Sequence, residues 1–228
     1  MRSLLAALVF LLLSILPARA DTILVGLLTR SYIVYTDPAP TAIVIAYHGT
    51  LGTSQAMADL TKLHLQGAHA IVIYPQGILW TWDVSAGSKD VKFTQALITK
   101  FRKQYGNLPV DVVGISAGGS MVWRDIEELD IAHAVSVAGD CLDPDTMSSV
   151  SKPDLLQLHG DADALVPLQG GTSISSGVTL PPIQSCIDGY NRIGGMATLN
   201  IVQGGGHAWD LRVGYPTTLV TLAFFGLR

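Results

Sequence analysis

Apolar residues recur along this chain in short unbroken runs rather than in strict alternation. "AIVIAYH" (42–48), "HAIVIYP" (69–75), "VDVVGIS" (110–116), "HAVSVAG" (133–139), "DLLQLHG" (154–160) and "ATLNIVQG" (197–204) are of strand length and rich in Val and Ile. Runs of this kind predict strands buried on both faces. Ahead of them "DTILVGLL" and "SYIVYTD" read as a hairpin pair, with Thr29–Arg30 near the turn. Between the strands the apolar spacing becomes helical. Residues 54–66 place Met57, Leu60, Leu63 and Leu65 near one face, with Thr53 or Ser54 as N-cap. Residues 90–104 bury Val91, Phe93, Leu97, Ile98 and Phe101; helices are also predicted over 117–128, 181–193 and 215–225, the last with Pro216 in its first turn. Strand–helix alternation predicts an α/β domain: a mainly parallel sheet covered on both faces, joined by right-handed crossovers, with the hairpin as an antiparallel edge. No repeat, linker or charge block divides the 228 residues, so one domain is expected over 21–228.

Residues 1–20 fall outside that pattern. Arg2 precedes "SLLAALVFLLLSIL", and "PARA" ends in Ala18-Arg19-Ala20. A positive start, a short apolar run and an A-x-A site predict a secretory signal peptide cut after Ala20. The run is shorter than the ~20 residues a membrane span needs. Removing it takes away Arg2 and Arg19 and no acid, leaving 12 basic against 18 acidic residues. With a net charge of −6 and no basic patch, nucleic acid is not an expected partner. The mature protein is expected to be secreted or periplasmic, without a stable membrane anchor. In an oxidising compartment Cys141 and Cys186 could form a disulfide or remain two buried thiols.

In a parallel α/β sheet, ligands bind at the carboxyl ends of the strands. Here those ends carry "HGT", "PQG", "SAGG", "HGDADALVP" and "GGGHAWD". Gly114-Ile115-Ser116-Ala117-Gly118 matches G-x-S-x-G between a buried strand and a helix, the setting in which a sharp turn exposes a nucleophilic serine. A serine hydroxyl needs a base within reach. Of six histidines, only His207 follows both the serine and the acidic loop. That fits the order Ser…Asp…His, and three preceding glycines free its loop. Asp163 is preferred over Asp161 as the third member, because it opens D-x-x-V-P, where Val166 and Pro167 pin the loop; Asp161 then caps a turn. The backbone N–H of Ala117 and of Thr50 are the candidate oxyanion donors. Trp80 and Trp82, in "GILWTWD", and Trp209 could wall a substrate pocket or simply pack. No metal cluster or phosphate-cradling loop is visible, so no cofactor is expected.

Together "HGT", "YPQG…W", "GISAGGSM", "LHGDADALVP" with Gly170-Gly171, and "GGGHAWD" resemble the secreted esterases of the polyhydroxybutyrate depolymerase and feruloyl esterase group, over roughly residues 40–212 and in family order. The resemblance implies an α/β-hydrolase fold with a twisted sheet of about eight strands. It also implies a Ser116–His207–Asp163 triad, oxyanion positions at Thr50 and Ala117, and hydrolysis of carboxylic esters. Thr50 and Leu79 stand where members of the group often have cysteine, so the family's disulfides do not carry over. Without an appended polymer-binding domain, small or oligomeric esters are the expected substrates. A peptidase or thioesterase would use the same residues, and a binding protein on the same fold would tolerate loss of one of them.

Overall fold

In a computed structural model of the chain, the described residues are 19–141, 143–173 and 177–228. The leader expected over residues 1–20 therefore lies, up to residue 18, outside them.

An eight-stranded sheet organises the molecule. Its strands are β1 (Arg19–Val25), β2 (Leu28–Thr36), β3 (Ala42–Tyr47), β4 (Ala70–Pro75), β5 (Val110–Ile115), β6 (His133–Val137), β7 (Asp154–Gly160) and β10 (Met196–Val202). They lie in the order β1-β2-β4-β3-β5-β6-β7-β10. β2 runs antiparallel to both of its neighbours. Every other pairing is parallel. A small hairpin, β8 (Gly171–Thr172) with β9 (Thr179–Leu180), stands apart from the sheet.

The unbroken apolar runs have the cause their composition suggests. β3 and β4 are buried at every position. Side chains alternate across a strand, so Ile43, Ile45 and Tyr47 enter one core while Ala42, Val44 and Ala46 enter the other. The first core is closed by α2 (Lys89–Tyr105), α3 (Ala117–Glu128) and α4 (Ile183–Arg192); the second by α1 (Ser54–Thr61) and α5 (Thr217–Phe224). Thr53 caps α1 through its hydroxyl to Ala56 N–H at 3.0 Å. Ser88 caps α2 in the same way, at 3.2 Å to Val91. Val91, Phe93, Leu97, Ile98 and Phe101 are buried, as the helical spacing predicts.

Three local expectations are corrected. The first hairpin turns at Gly26–Leu27, where Gly26 takes φ +60°, and not at Thr29–Arg30. The apolar run 23–28 crosses that turn, and Leu27 is fully exposed, so hydropathy hides it. Arg30 thus lies within β2 and is buried. The helix predicted over 54–66 stops at Lys62, whose left-handed φ of 49° leaves only a 3-10 turn over Leu63–Leu65. Met57 and Leu63 pack inward; Leu60 and Leu65 face out.

Candidate active site

Because β3 to β7 and β10 are parallel, the segments that follow them emerge on one edge. Ser116 follows β5 directly and takes φ 57°, ψ −123°, a conformation that costs a non-glycine residue of order 1–3 kcal/mol. The surrounding glycines make this turn possible. A Cβ on Gly114 would lie 2.1 Å from the Gly118 carbonyl oxygen, and one on Gly118 would lie 2.3 Å from that of Tyr47. Ser116 N–H is anchored on Val137 O at 2.9 Å, while Ser116 Oγ makes no hydrogen bond among the described residues.

Asp163, beyond β7, is buried and uses both carboxylate oxygens. Oδ1 accepts the N–H groups of Leu165 and Val166, each at 2.9 Å. Oδ2 lies 2.8 Å from His207 Nδ1. Burial works to raise this carboxyl, but the bond to His207 and the two backbone donors outweigh it, and Asp163 is held below the usual carboxylate range. Asp161 instead accepts Gly204 N–H at 2.7 Å and ties down the loop after β10. It caps that neighbouring loop rather than its own turn. The loops carrying Asp163 and His207 meet backbone to backbone. A Cβ on Gly160 would lie 2.1 Å from Gly205 O, and Ala162 N–H donates to that same oxygen at 2.9 Å.

The other histidines at this edge are occupied. His48 Nδ1 lies 2.7 Å from Gly49 O, and its Nε2 accepts Gly77 N–H at 3.0 Å. His159 Nε2 lies 2.8 Å from Val166 O, and its Nδ1 lies 3.1 Å from the Gln157 amide. Burial lowers the pKa of both. They are neutral struts for the loops around them.

Two cavities meet at Ser116. One, of about 550 Å³, is lined by His207 and by Leu51, Leu60, Ile115 and Leu165. The other, of about 260 Å³, is lined by Ala117, Trp82, Val84, Val166 and Leu180, with Ser120 and Asp140 among its polar members. Thr50 borders both. Ala117 begins α3, so its N–H has no intrahelical acceptor. Neither it nor Thr50 N–H is hydrogen-bonded among the described residues. Two free amides beside one serine can receive an oxyanion.

The three tryptophans separate. Trp82 walls the smaller cavity and also supports the Thr50 loop, donating from Nε1 to His48 O at 2.7 Å. Trp80 is half-exposed and lines neither cavity; its carbonyl accepts Leu51 N–H at 2.7 Å. Trp209 is no pocket wall. It is buried in the second core with Nε1 on Thr218 Oγ1 at 3.0 Å, because the chain turns inward immediately after His207. Cys141 and Cys186 are joined by a disulfide that ties the loop after β6 to α4.

Several contributors had no motif to announce them. Arg30 and Asp90 form a buried ion pair at 2.5 Å. Asp90 also accepts Asp83 N–H at 2.7 Å, so the pair anchors the segment carrying Trp82. Nothing in the sequence hinted at it, because Thr29-Arg30-Ser31 reads as a turn. Ser120 and Asp140 belong to the same class: single polar residues beside G-x-S-x-G and after β6.

The order of the eight strands, with β2 alone reversed and the serine turn after β5, decides the architecture. The chain has the α/β-hydrolase fold. Solved structures of similar fold include esterase PE8, at a TM-score of 0.63 and 18% identity, covering 82% of this chain and 93% of that one. An arylesterase matches at 0.63 and 15%, over 94% and 85%. An acylaminoacyl peptidase of Pyrococcus horikoshii matches at 0.68 and 13%, over 95% of this chain and 42% of the peptidase. At these identities the likeness is one of fold. No protein-family model matches the chain, and no curated protein matches it in sequence.

Proposed function

We propose that the protein is a serine carboxylic-ester hydrolase acting on small or oligomeric esters, with Ser116, His207 and Asp163 as its triad. The observation that carries the reading is the 2.8 Å Asp163–His207 bond, with His207 and the strained Ser116 lining one cavity. His207 takes the proton from Ser116 Oγ as that oxygen attacks the ester carbonyl, and Asp163 holds the imidazole by Nδ1. The N–H groups of Thr50 and Ala117 receive the oxyanion, each worth about 3 kcal/mol of transition-state stabilisation. Collapse of the tetrahedral intermediate breaks the acyl–oxygen bond, and the departing alcohol takes its proton from His207 Nε2. Water, deprotonated by the same nitrogen, then frees the acid and restores Ser116.

The substrates this reading favours are aryl (feruloyl-type) esters or hydroxyalkanoate oligomers, the classes that the motif resemblance implies. The apolar rim of Leu51, Leu60 and Leu165 suits a neutral alcohol better than a charged peptide. Export with loss of residues 1–20 belongs to the same proposal and is supported by the buried Cys141–Cys186 bridge, which an oxidising compartment would preserve.

The test is hydrolysis of p-nitrophenyl acetate and butyrate by the mature protein, with Ser116→Ala abolishing it. A panel of methyl ferulate, hydroxybutyrate oligomers and a peptide amide ranks the substrates. Failure of a fluorophosphonate probe to label Ser116 would overturn the reading.

A further inference from the structure

The two cavities at Ser116 differ in chemistry, and the proton path assigns them. Under the hydrolase reading the departing alcohol takes its proton from His207, so it occupies the larger cavity, which His207 lines. The acyl chain then extends past Ala117 into the smaller one. Trp82, Val84, Val166 and Leu180 make most of that cavity apolar. A carboxylate is out of place there unless something pairs with it.

Asp140 is that carboxylate. It stands three residues beyond β6 and borders the smaller cavity. Ser120 Oγ, one turn of α3 past Ser116, donates to its Oδ1 at 2.6 Å. No side chain other than Ser120 donates to the Asp140 carboxylate among the described residues. The neighbouring Cys141 is bridged to Cys186 on α4, which fixes the loop from its other side. Asp140 has no share in orienting the base, since His207 Nδ1 is engaged by Asp163.

We propose that Asp140, held by Ser120, accepts a hydrogen bond from a hydroxyl on the acyl part of the substrate and so selects hydroxylated acyl esters over their deoxy counterparts. The proposal rests on the hydrolase reading and adds the group that reads the acyl chain. Burial pushes the Asp140 carboxyl above its ordinary value, against the Ser120 bond. A donor from the substrate restores what burial removes.

The experiment compares kcat/KM within two matched pairs of esters. The pairs are methyl 3-hydroxybutyrate with methyl butyrate, and methyl 3-(4-hydroxyphenyl)propionate with its 4-fluoro analogue. The wild-type protein should favour the hydroxylated member of at least one pair by about 10- to 100-fold, the range for a hydrogen bond to a charged group. Asp140→Asn and Asp140→Ala should bring that ratio close to one, chiefly through KM. Wild-type ratios near one for both pairs overturn the proposal, as does a preference that survives in folded variants. If neither variant folds, the wild-type ratios decide: values near one for both pairs overturn the proposal, the fluoro analogue matching the phenol in size without being able to donate. Absence of turnover on every ester, with no labelling of Ser116, would instead be failure of the hydrolase reading itself.

Discussion

Replacing Gly118 by alanine tests the link between the serine turn and the oxyanion loop. The added Cβ would lie 2.3 Å from Tyr47 O and 2.7 Å from His48 O, both backbone atoms that cannot rotate away. Ordinary contact begins near 3.4 Å, so β3 and α3 must separate by about 1 Å. Overpacking of this kind costs about 1–3 kcal/mol. For a domain of this size that lowers Tm by roughly 2–4 °C per kcal/mol. The activity should suffer more. Tyr47 and His48 lead directly to Thr50, and a 1 Å misplacement of a catalytic group costs about 100-fold. Losing the donor outright costs about 10²–10³ in kcat. Gly118→Ala should therefore cut p-nitrophenyl butyrate turnover by about 10²–10³ while the protein remains folded at 25 °C, as followed by circular dichroism. Gly49→Ala is the comparison. Its Cβ would meet Ser116 Cβ at 3.4 Å, an ordinary contact, and its loss should be much smaller although it lies closer to Thr50. Equal losses, or a Gly118→Ala protein within fivefold of wild type, would refute the steric argument.

Other perturbations have equally definite outcomes. The disulfide spans 45 residues, which corresponds to about 4 kcal/mol in the chain-entropy account; Cys141→Ser/Cys186→Ser should lower Tm by roughly 8–16 °C in a thermal scan. Asp163→Asn should retain the fold but reduce kcat by about 10³–10⁴, because an amide can present a donor to Nδ1 and favour the wrong tautomer. Asp125 is fully buried, and its Oδ2 accepts the Tyr47 hydroxyl at 2.5 Å. Burial raises its carboxyl well above the ordinary value, so the folded state holds a proton that the unfolded state releases above about pH 4. Stability contributed below that pH is lost as pH rises, by up to about 1.4 kcal/mol per pH unit. Asp125→Asn should flatten this slope in urea melts from about pH 4 upward, and an unchanged slope would place the proton elsewhere.

The sheet was legible because burial on both faces writes itself as unbroken Val/Ile runs. Residues 154–160 and 117–128 match β7 and α3 end to end. The eight strands and their mainly parallel order follow the same signal. Serine, aspartate and histidine could be proposed because glycines must surround a turn this tight, and because a parallel sheet brings loop ends to one edge. What stayed hidden depends on tertiary contact. Arg30 sat in what read as a turn, since the apolar run crossed Gly26 without a break. Its partner Asp90 looked like an ordinary first-turn acid. Trp209 lies two residues past His207 in sequence, yet its indole turns into the core. Ser120 and Asp140, 20 residues apart, belong to no pattern that spacing reveals.

The contact of Gly160 with Gly205 has a consequence for how this scaffold could be altered. The segments bearing Asp163 and His207 share one backbone seam with no side chain between them. Neither can be lengthened, shortened or given a bulkier residue there without dragging its neighbour along. Under the proposed reading, new specificity on the leaving-group side is therefore easiest to engineer at Leu51 and Leu60, which border the larger cavity from a different part of the chain and sit outside the seam.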